Sequence, residues 1–335
     1  MPIPFILGAL AVSAGAYGIK KGINAKNNLN QAKKINDNAQ ELVSDTENLI
    51  ESAREVTNNS IKELGKMKIK IMSGSLSNFV ENFSRLKKVE FSDIVEIEEL
   101  RGFNPDSKDF LEIKNSSFKA KELATGGLVG IGAGTLLAVG AFKAGTLIGV
   151  ASTGTAISAL SGAAATNATL AWLGGGALSI GGFGMAGGMA VLGGIVAGPA
   201  LAIGGAFMAF KAEKSLNDAK SNMDQAVKFA QEGNDICKAL EKIQSRSTQI
   251  LNLLERLDKT MKILVRDVKS IIDYCGTDWR KFNRVAKEKI GMTAQVAKII
   301  KNVIDTPLLT EEGNLNDSET QQVIDYCNEN FLFTG

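Results

Sequence analysis

The sequence contains no histidine, which removes the commonest general base and metal ligand at neutral pH. Its three cysteines, Cys237, Cys275 and Cys327, are odd in number, far apart and without metal-ligand spacing, as expected of free thiols in a reducing compartment. No Walker-type phosphate loop is present. Gly182, Gly184 and Gly187 spell GxGxxG, but no strand pattern precedes them and no acidic residue follows at the required distance. The stretch EEGNLND from Glu311 departs from calcium-loop spacing and reads as a turn. Neither enzyme chemistry, nor a cofactor, nor a metal is expected. The net charge is only +2, and no basic stripe is interleaved with aromatics, so no nucleic-acid partner is expected either.

Charge is also missing locally. From Leu123 to Phe210 the one formally charged side chain is Lys143, and most of the 35 glycines fall there among Ala, Val, Ile and Leu. That run is several times the ~20 apolar residues needed to cross a bilayer. Glycines recur four residues apart: Gly126, Gly130 and Gly134, followed by Ala138; Gly145 and Gly149; Gly184 and Gly188; Gly194 and Gly198, followed by Ala202 and Ala206. On a helix this spacing makes a flat ridge that another backbone can approach closely. Glycine also costs about 1 kcal/mol against alanine in an exposed helix, so such helices stand poorly alone in water. Lipid favours helix, yet Gly and Ala add little insertion energy. These properties suit a segment sheltered in one state and inserted in another, and equally a permanently inserted hairpin.

Lys114, Lys119 and Lys121 precede the block and Lys211 and Lys214 follow it, which places both ends on one side and implies two or four crossings. Trp172 suits an interface, Lys143 a water-lined path or bundle interior, and Pro199 a kink in the last span. The first residues, to Ile19, are also apolar, but Lys20 and Lys21 follow them rather than precede them. A cleaved secretory leader is therefore not expected there. The stretch reads as a borderline span or as a buried or interfacial helix.

Elsewhere the chain is charged and helix-forming. Ile35, Leu42, Leu49 and Val56 recur every seven residues, with Ala39, Thr46, Ala53 and Ser60 between them, an apolar seam of alternating large and small residues. The periodicity predicts one helix from about Lys20 to Lys88, on the order of 100 Å long, with Gly65 its weak point. A second helix of similar length is predicted up to Cys275 and Gly276, its inner face running from Leu216 through Ile236, Leu264 and Ile271 to Ile272. A third is expected from Asp278 to Ile304, with Val285 among its inward residues and Pro307 beyond its end. Asn316 to Glu319 reads as a capping box for a final short helix.

The expected fold is all-α: long antiparallel amphipathic helices in a coiled-coil-like bundle bracket a Gly/Ala-rich apolar helical hairpin region. The organisation comprises an apolar helix over 1–19, a long helix over 20–88, an irregular cap over 89–121, the membrane-seeking region over 122–210, a second long helix over 211–276, and C-terminal helices over 277–335.

Long helices bracketing a hydrophobic hairpin, from about Asn27 to Gly276, resemble ClyA-type α-pore-forming toxins, their tripartite relatives and apolipoprotein L-like proteins. The Gly-Ala repeats from Gly126 to Gly205 look like glycine-zipper transmembrane helices. The resemblance implies a lipid bilayer as partner and assembly as a homo-oligomer or with another helical protein. The block is longer than the hairpin of those toxins, and no secretory leader is expected before it, which favours an intracellular effector of bacterial type or a resident membrane protein. Three readings follow. The first is an oligomerising protein that inserts into a bilayer and perturbs or permeabilises it. The second is a constitutive membrane-anchored coiled-coil scaffold for partner proteins. The third is a soluble bundle that buries the hairpin permanently. The expected location is the cytoplasmic face of a membrane, or the cytoplasm with conditional insertion.

Overall fold

The computed structural model describes residues 25–91, 100–124, 136, 139–141, 216–310 and 314–330. Those residues are all-α: α1 Ala25–Ile71, a π-helical turn Met72–Leu76, α2 Ser77–Phe83, α3 Lys108–Ala124, α4 Leu216–Cys275, α5 Arg284–Asp305 and α6 Asp317–Asn330. Among the described residues there is no strand beyond the isolated bridges Lys87 to Asp278 and Leu309 to Leu315. No described helix is long and apolar enough to cross a membrane. The expected helix over 1–19 lies outside the described residues.

The chain divides into two units, Met1–Asn58 with Leu192–Gln244 and Asn59–Val191 with Ser245–Gly335. Helices α1 and α4 each give their first part to the first unit and the remainder to the second.

In the first unit α1 and α4 bury their seams against each other. Ala32 and Ile35 pack with Ala219; Ala39, Leu42 and Val43 with Ala226, Phe229 and Ala230; Ile50 and Ala53 with Cys237 and Leu240. Residue numbers rise together along the contact, so the two helices run parallel there. The antiparallel arrangement expected from sequence is corrected. Small residues let the backbones approach: a Cβ at Gly233 would lie 2.4 Å from Cγ2 of Thr46. Two polar seam residues are satisfied differently: Thr46 Oγ1 donates to the Leu42 carbonyl of its own helix at 2.7 Å, and Thr57 Oγ1 donates across to the Leu240 carbonyl of α4 at 3.2 Å.

The seam departs from the expected heptad. Ile35 and Leu42 are buried, but Leu49 is only half-buried and Val56 is 46% exposed, and Ile50 and Thr57 take their places. From there the buried line is Thr46, Ile50, Ala53; Thr57, Ile61, Leu64; Lys68, Met72, Ser75, an eleven-residue spacing. A helix of 3.6 residues per turn drifts about 20° per heptad, and an eleven-residue step absorbs that drift. The correction follows from helix geometry.

In the second unit the contacts between α4 and the chain from the π turn onward again rise together. Ser75 meets Asp258, Arg85 meets Asp273 at 3.3 Å, and the Lys87 N–H donates to the Thr277 carbonyl at 2.9 Å. A parallel pair needs connecting chain that travels backward, and the described pieces of this connection do so. Helix α3 packs on the π turn and α2, and further along the chain Leu136 lies at Gly65 and Gly140 at Ile61. An insert closing as a hairpin at one end would have given the antiparallel pair instead.

The core here is aromatic. Phe83 contacts Phe79, Phe91, Phe103 and Phe110 with ring centroids 5.1–6.4 Å apart, and Trp279 contacts Phe91 at 5.0 Å. Gly276, at φ +83°, ends α4 where the sequence places the stop. Asp278 caps a short 3-10 turn, Trp279–Lys281, and Asn283 caps α5 by accepting from the Ala286 N–H at 2.8 Å. Helix α5 therefore starts later than the predicted Asp278. Val285 is 62% exposed because α5 buries the line through Ala286, Ile290, Ala294 and Ala297. Helix α6 begins after Asn316, whose side chain bonds Glu319 at 3.0 Å.

Candidate functional site

The eleven-residue line that buries Thr46 and Thr57 carries Lys68 inward at the equivalent position. Lys68 is fully buried, and its Nζ donates to the Gly140 carbonyl oxygen at 3.4 Å. Gly140 belongs to the uncharged block, and its neighbours Leu136, Val139 and Ala141 are buried with it. Part of the block thus lies in the core of the second unit.

Two glycines make that seating possible. A Cβ on Gly65 would sit 1.9 Å from the Leu136 carbonyl oxygen, and one on Gly140 would sit 2.1 Å from the Ile61 carbonyl oxygen. No side chain, not even a methyl, fits between the two backbones. Gly65, a weak point when α1 is considered alone, is the notch that receives the returning helix. Beyond it, the Leu309 N–H donates to the Ala141 carbonyl at 3.0 Å, tying the same segment to the chain after α5.

Charge around Lys68 is sparse. Asp305, at the end of α5, acts on it electrostatically but forms its ion pair with Lys301, one turn earlier on that helix. Oδ1 of Asp305 is buried without a hydrogen-bond partner. Among the described residues no carboxylate comes within ion-pair distance of Lys68. Burial pushes its ammonium down from 10.5 to about 8, against the opposing pull of Asp305. That displacement is a penalty on the charged form on the order of 3 kcal/mol. A single long hydrogen bond to a neutral carbonyl is a weak replacement for a hydration shell.

A second buried polar group lies in the π turn. Ser75 Oγ donates to Asp258 Oδ1 at 2.6 Å, and Asp258 Oδ2 pairs with Lys262 at 2.6 Å. The bond joins the π turn to α4. No group of three metal-binding side chains occurs among the described residues. All three cysteines are free, Cys237 and Cys327 buried and Cys275 exposed. Burial pushes the Cys327 thiol up to about 11 and raises that of Cys237.

Gly126, Gly130, Gly134, Lys143, Gly145, Gly149, Trp172, Gly184, Gly188, Gly194, Gly198 and Pro199, the residues singled out for insertion and packing, lie outside the described residues. Sequence reasoning missed Lys68, Gly140 and Asp305. The signal for Lys68 was present: it falls eleven residues after Thr57 on an otherwise apolar line. Gly140 stands four residues before Ala144 and six after Gly134, off the ridge register, so nothing marked it. No family model, curated protein or solved structure matches this chain.

Proposed function

We propose that this chain is a helical protein that shelters a glycine-rich apolar block within its bundle and inserts it into a bilayer, where the chain oligomerises and perturbs or permeabilises the membrane. The observation that carries this reading is the burial of Leu136, Val139 and Ala141, from inside the block, with the backbones of Leu136 and Gly140 against α1. A constitutive anchor has no use for a bundle that encloses part of its own membrane segment. The segment makes close backbone contacts at Gly65 and Gly140, of a kind that a glycine ridge can also make with other copies in lipid. Leaving water for lipid would then exchange one set of helix contacts for another.

The same burial also fits a bundle that keeps the block permanently. Dye release from vesicles separates the two: purified full-length protein added to liposomes should float with them and release a trapped fluorophore. Protein that neither floats with lipid nor releases dye, at any pH or lipid charge, overturns the insertion reading and leaves the permanently closed bundle.

A further inference from the structure

Lys68 is the one charged residue on the buried line through Thr46 and Thr57, and it occupies the point where the block meets α1. We propose that Lys68 is a release element, a charged side chain seated under Gly140 so that departure of residues 139–141 restores its water. The proposal rests on the insertion reading above and adds its regulation.

The arrangement differs from a structural ion pair. The carboxylate that acts on Lys68, Asp305, is already engaged by Lys301 on its own helix, and one of its oxygens is left without a partner. Among the described residues of the segment against Lys68, which are Leu136, Val139, Gly140 and Ala141, none is charged. From α5, Asp305 draws the proton on. Lys68 therefore gains one carbonyl contact in the closed state and a full hydration shell in the open one. The glycine crossing holds the segment; the lysine beneath it works against the hold.

The direction of pH dependence follows. Lys68 binds its proton less tightly when closed than when open, so protonation favours opening. The penalty is fully present below about 8 and declines as pH rises toward 10.5. Lower pH favours release within that window, and little further change comes from Lys68 below it.

Hydrogen exchange of the peptide covering residues 136–141, in full-length protein without lipid, reads the device directly. After correction for intrinsic exchange, wild type should open on the order of tenfold less often at pH 9 than at pH 7. Lys68→Met should exchange slowly at both values, with its fold checked by circular dichroism. Lys68→Gln, neutral but polar, should share the loss of pH dependence. A Lys68→Met or Lys68→Gln protein that folds and keeps the wild-type pH dependence overturns the proposal, as does one that opens faster than wild type at pH 7. Vesicle leakage by the same variants tests the other reading. Altered exchange without leakage by any variant upholds the device and removes the membrane role; leakage with exchange indifferent to residue 68 does the reverse.

Discussion

At Gly65 and Gly140 one hydrogen atom in place of a methyl group decides whether two helices can meet. Gly65→Ala and Gly140→Ala should each destabilise the second unit by about 1–3 kcal/mol, the range for overpacking, because the atom in the way is a backbone oxygen that cannot rotate aside. Gly74 makes the contrast. A Cβ there meets nothing within 4 Å, so Gly74→Ala should be neutral or stabilising by up to about 1 kcal/mol. Thermal or urea unfolding of the three variants checks this order; equal effects at Gly65 and Gly74 would count against the crossing. Thiol chemistry gives a second residue-scale test. Cys275 is exposed, whereas Cys237 and Cys327 are buried with their thiols raised, so a maleimide should modify Cys275 alone in the native protein and all three after unfolding. Gly140 is not one of the glycines whose four-residue spacing announced close packing, and those glycines lie outside the described residues. Which backbone Gly140 approaches was not legible, because Gly65 lies in a charged, ordinary-looking helix and its partner comes from far along the chain.

Among the elements, the long helices show what periodicity can and cannot carry. Their existence, the small residues of the first seam and the stop at Gly276 were all legible. The seven-residue register was not reliable past Leu42, since Leu49 and Val56 match it by sequence while helix geometry moves Leu49 to the flank of the contact with α4 and leaves Val56 exposed. Relative direction was beyond reach: an amphipathic face does not encode whether its partner runs up or down, and a long insert permits both. The π turn at Met72–Leu76 is a further local departure that seats Ser75 beside Asp258. Ser75→Ala would remove the donor and leave Asp258 to Lys262. Loss of that buried bond to a charged acceptor should cost about 1.5–3 kcal/mol, measurable as a lower urea midpoint with unchanged slope. No change in midpoint would mean that water replaces the hydroxyl and that the turn is held by its apolar neighbours alone.

For the molecule as a whole, stability and exposure of the block are coupled through Lys68. Between pH 8 and 9 the folded chain sheds the Lys68 proton before the unfolded chain does, so stability should rise with pH. Above pH 9 the raised Cys327 thiol acts in the opposite direction, because the unfolded thiol ionises first. Comparing wild type with Lys68→Met cancels the cysteine contribution, and the variant should be more stable at pH 7 with the difference shrinking toward pH 10. An advantage that does not shrink would place its origin in packing rather than charge. The all-helical plan and the segregated apolar block were legible from composition; the burial of part of that block within charged helices was not, because composition reports what a segment tolerates rather than where it resides. The central claim is that the block leaves the bundle for lipid. Replacing Cys275 by serine and Lys143 by cysteine, labelling that cysteine with an environment-sensitive fluorophore and adding vesicles tests it most directly. Vesicles carrying acyl-chain nitroxides should quench the fluorophore while aqueous iodide does not; quenching by iodide alone, with protein bound to the vesicles, would contradict insertion.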